Sequence, residues 1–159
     1  NLGGFASGTA KGHVLYMDAD RFIPTDDKLM PTGEIADVTG TPFDFRTPHT
    51  IGERHDADDD QLKFGAGYDI NWVVNDWDGV TLRPACRLSS ARTGRLVEIW
   101  TTEPGMQVYD GYYLPVRNAG VALETQHYPD SPNRPDFPST VLEPGKTFKS
   151  RTEYRFSAE

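Results

Sequence analysis

Apolar and polar residues trade places over short distances along this chain, and no stretch between its prolines and glycines carries an apolar stripe of helical period. After Gly12, the run His13-Val14-Leu15-Tyr16-Met17-Asp18-Ala19-Asp20 is rich in apolar and aromatic residues and predicts a strand. Arg21 to Ile35 places Pro24 and Pro31 on either side of a polar turn and ends on a second turn signal, Pro31-Thr32-Gly33. Ile35-Ala36-Asp37-Val38 predicts a short strand, and Phe43 and Phe45 alternating with Asp44 predict a half-buried one. Gly65-Ala66-Gly67 flexes the chain into the strongly apolar strand Tyr68 to Val74, with Asp69 at its entrance. Asn75-Asp76-Trp77-Asp78-Gly79 reads as a hairpin connection, because Asp-Gly suits the tight turn that joins paired strands. Leu82 to Leu88 and Leu96 to Thr102 predict strands around a turn at Ser89 to Gly94, and Met106 to Tyr109 follows Pro104-Gly105. Val121-Ala122-Leu123 runs into a loop with four prolines, at 129, 132, 135 and 138, and Thr147 to Phe156 closes the chain. The pattern predicts an all-β fold with little helix: twisted antiparallel sheets packed face to face as a sandwich.

One segment departs from this rhythm. Ile51 to Leu62 holds Glu53, Asp56, Asp58, Asp59 and Asp60, but lacks the spaced oxygens, central Gly and closing Glu of a calcium loop. A solvated or helical loop is the expectation there, and His49 and His55 have no third ligand at a spacing that would make a metal site. The formal net charge of −8 disfavours nucleic acid and anionic membranes as partners, and no apolar run reaches the length of a membrane span. Neutral substrates, sugars among them, suit such a field best. With Cys86 as the single cysteine, no internal disulfide is available, and the chain is compatible with the cytoplasm, the expected compartment, or with the periplasm.

Phosphate-cradling loops and the Gly-x-Ser-x-Gly elbow are absent from the sequence. What remains is a set of polar side chains at strand edges, Asp69, Gln107 and Glu124, among aromatic residues. Carboxylates and amides bind sugar hydroxyls while aromatic faces pack on the ring, but residue types alone equally fit Glu124 as a surface residue at a strand end.

Longer motifs go further. Asn1-Leu2-Gly3-Gly4, Pro31-Thr32-Gly33-Glu34-Ile35, Gly40-Thr41-Pro42-Phe43-Asp44-Phe45, Gly67-Tyr68-Asp69-Ile70-Asn71, Thr101 to Tyr109 and Leu123 to Asn133 occur in an order that resembles the galactose mutarotase (aldose 1-epimerase) family over essentially the whole chain. The resemblance implies that residues 1–159 are the C-terminal portion of a single large mutarotase-type β-sandwich. It also implies that no cofactor or metal is used, and that the activity is interconversion of the α and β anomers of free hexoses such as galactose or glucose. Carried over position by position, it makes Glu124 the general base and Asp69 and Gln107 substrate-binding residues. His127, three residues past Glu124, is expected to support the loop.

Two departures from the family pattern bear on this expectation. In the family the acid is a histidine in a His-Ser-Tyr-Phe-Asn type of segment, and Asn1 matches the Asn that ends it. The acid, with an Arg and another His of the sugar site, is therefore expected upstream of Asn1, in a missing N-terminal half or another chain. The segment between Tyr113 and Gly120 is also shorter than is usual in the family. A non-catalytic sugar-binding or structural β-domain is the alternative function, with a glycosidase using Glu124 and Asp69 as a third. Half a sandwich would also leave open strand edges and an uncovered apolar face, so the isolated chain is expected to associate.

Overall fold

A computed structural model describes residues 1–4 and 6–158. Among the described residues the fold is almost entirely β, in two five-stranded antiparallel sheets. The strands are β1 (Val14–Met17), β2 (Arg21–Ile23), β3 (Ala36–Asp37), β4 (His49–Thr50), β5 (Asp69–Val73), β6 (Arg83–Ser89), β7 (Arg95–Thr101), β8 (Gly105–Tyr109), β9 (Ala122–Gln126) and β10 (Thr152–Ala158). One sheet runs β10-β7-β6-β1-β4 and the other β3-β2-β5-β8-β9.

Alternation sets which side chains meet between the sheets. Leu15, Met17, Cys86, Leu88, Val97 and Ile99 come from the first sheet, and Phe22, Ile70, Trp72, Met106 and Val108 from the second, to form one buried core. Cys86 lies within it, and burial pushes its thiol up to about 12. Pro84, which has no N–H to give the ladder, sits where the β6–β7 register shifts.

The 40–46 segment corrects the strand expected there. It forms turns, and Phe43 and Phe45 are both fully buried as a plug in the core. Its carbonyls are taken by side chains from across the core: the Trp72 indole N–H donates to Phe43 O at 3.0 Å and the Tyr68 hydroxyl to Pro42 O at 3.2 Å. Residues 75–79 also differ from expectation, because β5 and β6 lie in different sheets and the segment is a crossover rather than a hairpin turn. Asp78 organises its exit, accepting from the backbone of Val80 and Thr81 and from Arg83.

The acidic stretch does contain a helix, α1 (Asp60–Gly65). Asp59 caps it by accepting from Gln61 N and Leu62 N, and the left-handed Ala66 ends it. The proline loop after β9 folds back across the second sheet on the side away from the core, where Tyr128 and Phe137 pack on Ile23 and Val73. That outer face carries the candidate site.

Candidate active site

In a strand, residues two apart share a face, and register partners on neighbouring strands lie side by side on the same face. Ile70, Trp72, Met106, Val108 and Leu123 point to the core, so Asp69, Asn71, Gln107 and Glu124 point outward. Asn71 pairs with Gln107 across β5 and β8, and Gln107 pairs with Glu124 across β8 and β9. The three side chains therefore form one row over three strands. Asp69 lies one step along β5, and Gln107 reaches it: its Nε2 donates to Asp69 Oδ1 at 2.7 Å.

All three residues singled out in the sequence are thus neighbours on one face. Four prolines stiffen the loop after β9 and suggest that the loop mounts Glu124, but strand pairing does so instead. Glu124 sits at the centre of β9, not at the edge of the proline loop, and the β8 ladder fixes its backbone. Its side chain is exposed and, among the described residues, makes no hydrogen bond or ion pair. His127 has the opposite parity along the strand. Its Nδ1 is 2.7 Å from Glu103 Oε2, and its ring lies edge-on to Trp77 and Phe148, so it braces the loop away from Glu124.

Asp69 is placed by the turn that follows α1. Gly67 adopts φ +134° there, and an added Cβ would fall 2.3 Å from Asp110 Oδ2 and 2.7 Å from His55 Nε2. Asp110 accepts from Tyr68 N at 3.1 Å, which ties the entrance of β5 to the start of the loop after β8, and its Oδ2 lies 2.8 Å from His55 Nε2. Burial pushes the Asp69 carboxyl above its ordinary range; the Gln107 N–H opposes the shift and the charge of Asp110 adds to it.

Two loops that the sequence marks by their prolines make the rim, but the side chains that clamp them, Gln61 and Arg134, were not singled out there. Gln61 of α1 holds Thr25 through both backbone groups, accepting from its N–H at 2.7 Å and donating to its carbonyl at 2.8 Å. Arg134 of the proline loop donates to the carbonyls of Pro31 and Thr32 and to Asp130. Gly33 leaves room for that guanidinium, since a Cβ there would lie 2.3 Å from its Nη1. The 24–33 loop is thereby clamped from two sides over the outer face. Between it and the sheet lies a cleft of about 70 Å³ lined by Ile23, Thr25, Leu29, Pro31, Asp69, Asn71, Gln107 and Pro129. This is well below the several hundred Å³ of a typical ligand pocket, so it fits part of a small molecule rather than the whole.

Asn71 belongs to this set and was not singled out in the sequence. It is 2% exposed, and among the described residues neither its Nδ2 nor its Oδ1 has a partner; Gln107 Oε1 is likewise buried and unpaired there. The available signal was a polar residue two places after Asp69 in an otherwise apolar strand. Among the described residues, no group of three or more His, Cys, Asp or Glu is arranged to hold a metal ion. No helix among them is long and apolar enough to cross a membrane.

Fold and face together define an antiparallel β-sandwich with a carboxylate- and amide-lined row on one outer sheet. The family model for aldose 1-epimerase matches residues 1–155, and the chain belongs to that family. It is 36% identical to galactose mutarotase of Homo sapiens over 169 aligned residues, covering 99% of this chain and 47% of the human protein. It is also 36% identical to aldose 1-epimerase of Escherichia coli K12, with 100% and 49% covered. Among solved structures, the galactose 1-epimerase from Lactobacillus acidophilus superposes with a TM-score of 0.78 at 27% identity, covering 97% of this chain and 46% of that one. A galactose mutarotase/aldose epimerase homologue from C. elegans gives 0.76 at 28% identity, with 94% and 47% covered. The chain spans about half the length of the relatives it matches.

Proposed function

We propose that these residues form the base-bearing portion of an aldose 1-epimerase, with a free hexose such as galactose or glucose as substrate. The observation that carries this reading is the row itself: Glu124 lies directly across from Gln107, whose amide holds Asp69, on the outer face of one sheet. Family membership supplies the reaction class, and the row supplies the groups it needs.

In the proposed mechanism Glu124 takes the proton of the anomeric hydroxyl while an acid protonates the ring oxygen, and the C1–O5 bond breaks to give the open aldehyde. Rotation about C1–C2 and reclosure on the other face of the carbonyl reverse both proton transfers and yield the other anomer. No atom or electron is lost or gained. Asp69 and Gln107 bind ring hydroxyls, so that the rotating end turns against a fixed remainder. Exposed and unpaired among the described residues, Glu124 is open to a sugar approaching the outer face.

The acid is assigned to a group outside the described residues. Each of the chain's histidines is engaged elsewhere: His13 accepts from Leu2 N, His49 meets Glu53, His55 meets Asp110, and His127 faces away with Glu103. In this reading residues 1–159 are one portion of a larger sandwich, and the acid comes from the remainder.

Polarimetry on anomerically pure α-galactose and α-glucose tests the function. In the protein carrying these residues, Glu124→Gln is expected to slow mutarotation by about 10²–10⁴-fold without loss of folding, since the side chain is exposed and unpaired. Retention of the full rate in that variant would remove the base assignment. The 159 residues alone are expected to be inactive, and a rate equal to that of a longer form would overturn the placement of the acid.

A further inference from the structure

On the strength of that reading of the site, we propose that the Asn71 carboxamide is a further sugar-binding group, hydrogen-bonded to a hydroxyl on the side of the pyranose ring away from the anomeric centre. Asn71 stands in β5 between Ile70 and Trp72, both in the core, and points the other way into the small cleft. It is 2% exposed, yet its carboxamide nitrogen and oxygen both lack a partner among the described residues. Native proteins seldom leave a buried donor and acceptor unpaired on one side chain, because each forfeits its bonds to water without replacement.

The neighbouring residues are arranged to keep it there. Gly105 of β8 lies beneath the carboxamide, and an added Cβ would come within 2.7 Å of Asn71 Oδ1 and 3.0 Å of Nδ2. The absence of a side chain at Gly105 therefore creates the space in which Asn71 lies. Gln107, its register partner, spends its N–H on Asp69 and keeps its Oε1 unpaired and buried in the same place. Two adjacent amides thus present one donor and two acceptors to a cleft with room for a substituent rather than a ring. A hydroxyl, which both donates and accepts, matches that set.

Register gives the direction. Adjacent strands lie about 4.8 Å apart, so Asn71 and Glu124, two strands removed on one row, are roughly 10 Å apart at the backbone. A pyranose with its anomeric hydroxyl at Glu124 spans that gap with its far side, the C3 and C4 hydroxyls, towards Asn71. The C2 and C6 positions lie off the row.

The experiment measures mutarotation of galactose and of its 2-, 3-, 4- and 6-deoxy forms by the protein carrying these residues. The wild type is expected to lose about tenfold in kcat/KM on the 3- or the 4-deoxy sugar, the size of one buried hydrogen bond. Asn71→Ala is expected to lose a similar factor on galactose and then to treat galactose and that deoxy sugar alike. Asn71→Ser, with one polar group retained, should fall between. An equal loss on every sugar, as expected if Asn71 only supports the strand or holds a buried water, would overturn the proposal. So would an unchanged rate in Asn71→Ala, or a wild type indifferent to the 3- and 4-hydroxyls, which requires no variant at all. Glu124→Gln in the same assay separates the two levels: its full activity would sink the site reading, whereas its loss beside a flat Asn71 profile would sink this inference alone.

Discussion

At the scale of single residues, Asp69 shows how a half-buried carboxyl trades against stability. Its carboxyl is held above the ordinary value of 3.8, chiefly by burial. A raised carboxyl means that the folded chain holds the proton more tightly than the unfolded one. Asp69 therefore favours the fold below about 3.8 and loses that contribution as the pH rises through the raised value. Asp69→Asn keeps an oxygen that can accept from Gln107 but carries no charge. In denaturant titrations from pH 3 to 7, the variant is expected to gain on the wild type as the pH rises, while its mutarotation falls. A difference between the two that does not change with pH would contradict the role given to burial. Glu124 sits at the other extreme, exposed and without a partner, and its replacement is expected to touch catalysis and leave folding alone.

At the scale of elements, the turn between α1 and β5 governs where Asp69 lies. Gly67→Ala would introduce both an unfavourable φ and a Cβ inside the Asp110–His55 pair. A loss of about 2 kcal/mol or more is expected, measured by chemical denaturation, with weaker sugar binding at permissive temperature. Such turns also mark the limits of what the sequence discloses. Strands β5 to β8 are legible because apolar alternation sustained over several residues favours a half-buried strand. Phe43 and Phe45 show the same alternation and yet form a plug, since whether a short apolar segment pairs or fills a gap depends on Trp72 and Tyr68, distant in sequence. Asp78-Gly79 carries the signal of a hairpin and instead directs the chain from one sheet to the other. On the outer face, the motifs single out Asp69, Gln107 and Glu124, which the fold brings side by side. The clamps made by Gln61 and Arg134 are not legible, because they link residues 36 apart in one case and more than 100 in the other.

At the scale of the whole molecule, the two sheets cover each other unevenly. Tyr154 and Phe156 of β10 share a row with Ile99 and Val97, which face the core, yet they are 50% and 74% exposed. Val141, Leu142 and Phe148 add further exposed apolar surface in the segment leading to that strand. Thr125 and Thr152, with hydroxyls 2.6 Å apart, tie β9 to β10 at this margin, but the second sheet does not reach the outer half of β10. Exposed apolar surface of this kind draws partners. In sedimentation velocity the 159 residues alone are expected to associate increasingly with concentration, and Phe148→Lys with Phe156→Lys to shift them towards monomer. Monomers at high concentration in the unsubstituted chain would show that this margin needs no cover.

The row from Asn71 through Gln107 to Glu124 also limits how a lineage carrying this sequence can change in length. The exposed tip of the connection between β8 and β9, residues 113–117, lies outside the row and away from Asp110, so heritable gains and losses there leave the three side chains abreast. Within β9 a single extra residue would turn Glu124 towards the core and Leu123 or Thr125 outward, exchanging the two faces at one stroke. Length variation is therefore expected to accumulate in that connection and to be nearly absent from the strands on either side of it.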